Sequence, residues 1–204
     1  MKIIEGFEPL KSILSRQGPS SGFETDEREK AVRDIITEVS RRGDAALYEY
    51  TQKFDGVTLD SLEVSKEQVI AASNSVDPEL LSALNLAAER ISSYHIAQRD
   101  GLLNESVRDG LGWLVRPLNR VGIITPGFTS PLPSSLLMAA VPARVAGVNE
   151  IILVTPPQKN GSVHPATLAA ADIAGVDRIF SVGGAQAVAA LAYGTESIPS
   201  VDKI

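Results

Sequence analysis

A glycine pair and a nearby glutamine, Gly183, Gly184 and Gln186, are the residues best suited to bind a ligand. They follow a strand-like apolar run and open an alanine-rich segment with a helical pattern. Glycines let a backbone approach a ligand closely, and the free N–H groups of a helix N-terminus favour a phosphate or another polar group. Gln186 could hydrogen-bond a ribose or an amide. A plain tight turn is the simpler interpretation, because a single glycine pair is a weaker signal than G-x-G-x-x-G.

Two further loops follow strand-like apolar runs, residues 126–133 and residues 156–162. Ligands of parallel α/β sheets bind at the carboxyl ends of the strands, where both loops would lie. The first loop holds three prolines and one glycine, so we expect it to be stiff. It could form the wall of a pocket, and a rigid connection without a binding role is an equally good interpretation.

The chain has two histidines, and neither has the pattern of a catalytic or metal-binding residue. His95 lies beside an apolar helical stripe, which favours a partly buried structural role. His164 precedes Pro165 at a helix start, which favours a surface cap. No histidine pair has metal-ligand spacing, and no nucleophile–base arrangement can be drawn. The residues alone therefore predict no catalytic group and no metal ligand in this chain.

The elements that would position the ligand loops occupy residues 119–204, which we expect to form a Rossmann-like βα domain. Charged residues are sparse there, and continuously apolar strands alternate with small-residue helices, which is typical of a parallel sheet covered on both faces. The predicted strands are 121–125, 150–155, 178–182 and a fourth from 201 onward, and the predicted helices are 134–146, 165–174 and 185–193.

Residues 21–118 are charge-rich and have a mostly helical pattern, so we expect them to be the helical part of a first domain. Residues 1–20 are expected to be an N-terminal arm, joined through a Gly-Pro-Ser-Ser-Gly linker at 18–22. Helix starts are predicted at Thr25, at Asp44, at the Ser65–Gln68 capping box and at Pro78. Asp109-Gly110 predicts a turn between two short strands, the second ending at Val115. The fold class is therefore α/β, with a helical segment before an incomplete Rossmann-like sheet.

Composition excludes several classes of function. The 204 residues carry 19 basic and 25 acidic side chains, a formal net charge of -6, which argues against a nucleic-acid partner. There is no cysteine, so disulfides and thiolate metal sites cannot form within the chain. The absence of cysteine fits a cytoplasmic location, and no apolar run is long enough to span a membrane.

Five segments resemble the histidinol dehydrogenase family. They are RRGDAALYEYTQKFDG (41–56), AERISSYHIAQ (88–98), GWLVRPLNRVGIITPG (112–127), PSSLLMAAVPARVAGVNEIILVTPP (133–157) and AADIAGVDRIFSVGGAQAVAALAYGTESIPSVDKI (170–204). Within that last run, VGGAQAVAALAYGTESIP (182–199) is highly specific. The resemblance covers nearly all of the chain.

The resemblance implies two successive NAD-dependent oxidations of L-histidinol, through the aldehyde, to L-histidine, by a cytoplasmic homodimer that uses zinc. Gln186 matches a glutamine that contacts NAD in the family, and Gly183-Gly184 match the turn before it. The zinc ligands and the Glu-His acid/base pair of the family lie beyond the position of Ile204. We therefore expect a chain cut before these groups, with no catalytic or metal residue of its own and no activity alone.

Two residues depart from the family pattern in the candidate NAD site. Ile124 stands where the family usually has a tyrosine that contacts NAD, and Phe128 stands where it usually has a glycine. Isoleucine lacks the hydroxyl and the ring, and phenylalanine adds bulk where the backbone would approach a ligand. Two alternatives stay open: a related dehydrogenase acting on another alcohol, and a non-catalytic remnant that binds a nucleotide or a partner chain.

Overall fold

The computed structural model of the protein describes residues 22–103, 107–108, 111–112, 114–127 and 131–204. Within these ranges the chain forms seven helices and five strands. They are α1 Gly22–Arg42, α2 Asp44–Asp55, α3 Lys66–Ser75, α4 Pro78–Leu103, β1 Val107–Arg108, β2 Leu111–Gly112, β3 Arg120–Ile124, α5 Pro133–Val145, β4 Glu150–Thr155, α6 Pro165–Ile173, β5 Arg178–Ser181 and α7 Gly184–Tyr193. The predicted N-terminal arm and Phe128 lie outside the described residues.

The chain divides into two compact units, Met1–Asp34 and Ile35–Ile204. In the first unit, the described part is the beginning of α1, where Arg33 donates to Glu29 one turn earlier, at 2.6 Å. The second unit holds the remaining elements and the candidate site. The predicted division between residues 118 and 119 stays a prediction.

Most predicted helix boundaries agree with the structure, because they depend on local capping. Ser65 accepts the N–H of Gln68, and the Gln68 side chain accepts the N–H of Ser65, so the predicted capping box forms. Pro78 opens α4 as predicted, since proline fits a first helical position. The first helix begins at Gly22, three residues before the expected cap at Thr25, so that boundary was wrong.

Strands β3, β4 and β5 form a parallel sheet in that order, as the apolar runs predict. The register pairs Ile124 with Val154, and Val154 with Phe180. The predicted fourth strand is reduced to one parallel bridge, between Val121 and Lys203. On the opposite edge, Glu63 forms an antiparallel bridge with Phe180, which the βα alternation did not predict.

The two faces of the sheet are covered by different helices, which confirms the predicted architecture. One core cluster joins α3, α4, α5 and α6 to the strand residues Val121, Ile123, Ile151, Leu153 and Ile179. A second cluster joins the end of α1, α2 and α7 to Ile152, Val154 and Phe180. Burial on both faces explains why these strands are continuously apolar.

Strands β1 and β2 pair antiparallel, with Val107 opposite Gly112 and Arg108 opposite Leu111. This confirms two short strands flanking residues 109–110, which themselves lie outside the described residues. The second strand ends at Gly112, earlier than the predicted end at Val115.

Candidate functional site

Three chain segments meet where the parallel strands end, and Pro156 lies at their centre. A Cβ added to Gly127 would lie 2.4 Å from the carbonyl oxygen of Pro156. A Cβ added to Gly183 would lie 2.7 Å from the Cβ of Pro156. Both distances are shorter than real Cβ contacts, so any larger residue would push the segments apart. The close packing of the protein itself therefore requires these two glycines.

The turn from β5 into α7 leaves the helix N-terminus bare. Gly184 has φ +66°, a left-handed conformation that glycine adopts without strain. Gly183 is the N-cap residue and makes no side-chain cap. The first N–H groups of a helix have no partner within the helix. At the start of α7 the cap residue is glycine, so no cap side chain accepts from them. This end of α7 can accept a polar or anionic group.

Gln186 lies in the first turn of α7 and is almost fully buried, with 2% of its surface exposed. Its Oε1 lies 2.7 Å from the position that a Cβ of Gly184 would take, so the amide lies against the glycine turn. The side-chain amide makes no hydrogen bond with the part of the chain that the structure describes. Neither amide atom is among the fully enclosed polar atoms that lack a partner, so the amide is open to a hydrogen bond from a ligand at this end of α7.

Ile124 ends β3 on the face of the sheet that α7 covers. The register aligns it with Val154 and Phe180, which pack in the same cluster as the apolar face of α7. Ile124 is 39% exposed, unlike these two neighbours, which are fully buried. The structure therefore brings Gly183, Gly184 and Gln186 to the same sheet edge and face as Ile124.

Sequence reasoning missed a row of buried hydroxyl groups across the strand ends. Thr155 pairs with Ser181 in the register, and Thr125 directly follows the last register pair, Ile124 with Val154, and donates its N–H to the carbonyl oxygen of Val154. All three are buried, and none of their hydroxyl oxygens has a hydrogen-bond partner. In-register residues of neighbouring strands point to the same face, here the one opposite α7. Part of the signal was present in the sequence, because Thr125 and Thr155 each end an apolar run and Ser181 lies one residue before the end of the predicted strand 178–182.

A second missed feature is a buried acid at the end of α2. Asp55 is 5% exposed and its Oδ2 has no partner, and one turn earlier the buried Thr51 hydroxyl also has none. Burial raises the pKa of the Asp55 carboxyl, and the nearby charge of Lys159 opposes that rise. Lys159 also donates to the carbonyl oxygen of Asp55 at 2.9 Å, which ties α2 to the loop after β4.

The described residues do not fit a zinc site. No group of three His, Cys, Asp or Glu side chains in the described ranges lies close enough to hold a metal ion. His95 is half-buried and its Nδ1 lies 2.9 Å from Oε1 of Gln98. Nδ1 of His164 accepts the N–H of Ala166, so this histidine caps α6 as predicted. Both histidines have structural partners.

The α7 end of the sheet, by contrast, fits a dinucleotide. It offers a helix N-terminus without a side-chain cap for a phosphate group, and the Gln186 amide beside it for a hydroxyl or carboxamide. No helix in the described part of the chain is long and apolar enough to cross a membrane.

A parallel sheet with helices on both faces and a bare helix N-terminus at its carboxyl edge defines a Rossmann-like α/β protein. The family model for histidinol dehydrogenase matches residues 19–204, and the chain belongs to the histidinol dehydrogenase family.

Curated relatives support this assignment. The chain is 49% identical to a histidinol dehydrogenase of Dehalococcoides mccartyi strain CBDB1, over 100% of this chain and 50% of the relative. It is 52% identical to that of Lactiplantibacillus plantarum, over 100% of this chain and 48% of the relative. The chain thus spans about half the length of the curated relatives that it matches, and it corresponds to their N-terminal half.

A solved structure gives the same result. The crystal structure of histidinol dehydrogenase from Elizabethkingia anophelis is 34% identical and superposes with a TM-score of 0.77, over 86% of this chain and 41% of that one. The arrangement of helices and strands described above is therefore that of the matching part of a histidinol dehydrogenase.

Proposed function

We propose that this chain forms the nucleotide-binding part of an NAD-dependent dehydrogenase that oxidises L-histidinol, through the aldehyde, to L-histidine. The observation that carries the proposal is the amide of Gln186, which lies in the first turn of α7, where no side chain caps the helix N-terminus. Membership of the histidinol dehydrogenase family supplies the substrate and the reaction type.

Each residue of the site has a role in this proposal. The N–H groups at the start of α7 bind the pyrophosphate, where the helix dipole favours negative charge. The Gln186 amide orients the nucleotide by hydrogen bonding, and the exposed part of Ile124 forms an apolar wall beside it. Gly183 and Gly184 keep this end of the helix open. NAD, when bound, supplies the hydride acceptor of the reaction.

Zinc binding and proton transfer belong, in this proposal, to the part of the relatives' length that this chain does not span. No step is assigned to a metal held by the described residues, which do not fit one. The proposal includes a homodimer and a cytoplasmic location, as the family resemblance implies. We expect the 204 residues alone to produce no NADH from L-histidinol, and robust NADH production would contradict this assignment of the catalytic groups.

Calorimetric titration of the chain with NAD tests the nucleotide site. We expect saturable binding that Gln186→Ala weakens by roughly two- to tenfold, the effect of losing one neutral hydrogen bond. The matched control is Gln52→Ala, which removes an exposed glutamine of α2 and should leave the affinity unchanged.

Two outcomes would overturn the nucleotide site. One is the absence of any saturable binding of NAD to the folded chain. The other is binding that Gln186→Ala leaves unchanged, which would place the nucleotide elsewhere on the molecule.

A further inference from the structure

The loop after β4, residues 156–162, runs from the candidate NAD site to the end of α2. At its start, Pro156 packs so closely against Gly127 and Gly183 that a Cβ on either glycine would collide with it. Because Pro156 lies between the two glycines, its position sets the distance between the segments that carry them. A displacement of this loop would therefore move the two ligand segments relative to each other.

Hydrogen bonds within the loop hold it together. The N–H of Gln158 donates to the carbonyl oxygen of Ser162 at 2.7 Å, and the N–H of Gly161 donates to the carbonyl oxygen of Gln158 at 2.9 Å. The hydroxyl of Ser162 also donates to Oδ1 of Asn160 at 2.7 Å. We therefore expect the loop to shift as one piece when its attachment to the rest of the chain changes.

Lys159 attaches this loop to a helix. Its Nζ donates to the carbonyl oxygen of Asp55, the last residue of α2, at 2.9 Å. Within the described ranges, no other hydrogen bond joins residues 156–162 to a different element. The position of Pro156 relative to α2 therefore depends on this contact, together with the apolar packing around the loop.

The carbonyl oxygen that Lys159 binds is available because it ends a helix. The last carbonyl groups of a helix have no partner within the helix. Gly56 follows Asp55 in a left-handed conformation, with φ 72°, and donates its N–H to the carbonyl oxygen of Gln52. A Cβ on Gly56 would lie 3.6 Å from Nζ of Lys159, so the ammonium group lies beside this cap. A cation here also complements the negative end of the helix dipole.

The side chain of Asp55 adds a second attraction for Lys159. Its carboxyl group is buried, and its Oδ2 has no hydrogen-bond partner. Burial raises the pKa of this carboxyl, and the charge of Lys159 opposes that rise. Lys159 thus combines a hydrogen bond to the backbone of Asp55 with an electrostatic attraction to its side chain.

We propose that Lys159 is a positioning residue of the nucleotide site, which holds Pro156 in place between Gly127 and Gly183 by fastening the 156–162 loop to the end of α2. This inference rests on the proposed function, because it assigns the two glycine segments to NAD. Lys159 acts through Pro156 and makes no contact with the nucleotide itself.

Two measurements on Lys159→Met test the inference. Methionine keeps an apolar stem and removes both the donor and the charge. In the ¹⁵N-labelled chain without NAD, we expect this variant to shift the amide resonances of Gly127 and Gly183. Calorimetric titration should show an affinity for NAD that is weaker by roughly two- to tenfold, as expected for the loss of one hydrogen bond. Lys159→Arg can still donate, so it should keep the resonances and the affinity of the parent.

Lys66→Met is the matched control, because it removes the same charge from an exposed lysine of α3. It should leave the two resonances and the affinity unchanged. A weaker affinity of Lys159→Met with unchanged resonances in the free chain overturns the inference, because it indicates direct contact between Lys159 and NAD. An unchanged affinity of Lys159→Met, while the parent binds NAD, also overturns it. If the parent itself does not bind NAD, the proposed function fails, and the inference fails with it.

Discussion

The side-chain amide of Gln186 lies against Gly184, with its Oε1 2.7 Å from where a Cβ of that glycine would stand. The same glycine has φ +66°, so both its conformation and its missing side chain are needed for the amide to lie there. The glycine turn thus makes room for the Gln186 amide at the start of α7. A tight turn and a ligand site are compatible interpretations of the same residues.

Gly184→Ala should both destabilise the fold and displace the Gln186 amide. Alanine at this φ is strained by about 1 kcal/mol or more, and its Cβ would collide with Oε1. Thermal unfolding should show a lower midpoint, and calorimetry a weaker affinity for NAD. The matched control is Gly101→Ala, since Gly101 lies in α4 with nothing within 4 Å of an added Cβ. That control should raise stability by roughly 0.5–1 kcal/mol, and equal effects of the two variants would contradict the prediction.

Gly122→Ala should separate α7 from the sheet. An added Cβ would lie 2.7 Å from Cδ1 of Leu191, a buried residue of α7. Overpacking of this kind costs about 1–3 kcal/mol, measurable by denaturant unfolding. Leu191→Val in the same chain removes one methylene at the point of collision and should restore part of the loss. If the double variant loses more free energy of unfolding than the two single variants lose together, the proposed contact is not the cause.

Asp55→Asn should stabilise the chain at neutral pH. Burial raises the pKa of Asp55, so the native state binds its proton more tightly than the unfolded state does. Protonated Asp55 therefore favours the native state fully below the ordinary aspartate pKa. This stabilisation is lost as the pH rises through the raised native pKa. Asparagine removes the buried charge, so the variant should melt at a higher temperature than the parent at neutral pH.

The difference in melting temperature between Asp55→Asn and the parent should shrink on acidification, because Asp55 of the parent is then protonated in both the native and the unfolded state. Asp60→Asn is the control, since Asp60 is exposed and should show no such pH-dependent gain. A destabilising effect of Asp55→Asn at neutral pH would indicate that the carboxylate has a partner in solution.

Glu63→Gln should have the opposite pH dependence. Hydrogen bonds from Arg178 lower the pKa of Glu63 and attach the segment before α3 to β5. That stability is present above the ordinary glutamate pKa and is lost as the pH falls through the lowered native value. Both side chains are partly exposed, so we expect a loss of about 0.2–1 kcal/mol at neutral pH.

Urea unfolding at neutral and at acid pH measures this loss. Glu89→Gln is the matched control, because Glu89 is exposed and has no ion pair within the described ranges. The stability of the control should be close to that of the parent at both pH values. A loss for Glu63→Gln that persists unchanged in acid would rule out the ion pair as its source.

The candidate site could be located from the sequence only as a set of loops. The order of apolar runs predicted a parallel sheet, and this places Gly183, Gly184 and Gln186 at its carboxyl edge. The role of Gln186 in binding NAD stays a prediction, as does that of Ile124. The hydroxyl row was missed, because single residues at strand ends do not show which strand residues face each other, and only the register aligns them.

Local patterns in the sequence were enough to predict several helices and strands. Apolar runs gave β3, β4 and β5, and Ser65, Pro78 and Pro165 gave helix starts, because capping and periodicity depend on residues a few positions apart. The contacts of Pro156 with Gly127 and Gly183, and the fit of Leu191 against Gly122, could be found only in the folded chain. The same holds for the two sheet edges, where Glu63 forms a bridge with Phe180 and the predicted fourth strand forms a single bridge between Lys203 and Val121. These features depend on strand register and close packing between distant residues, which no local pattern specifies.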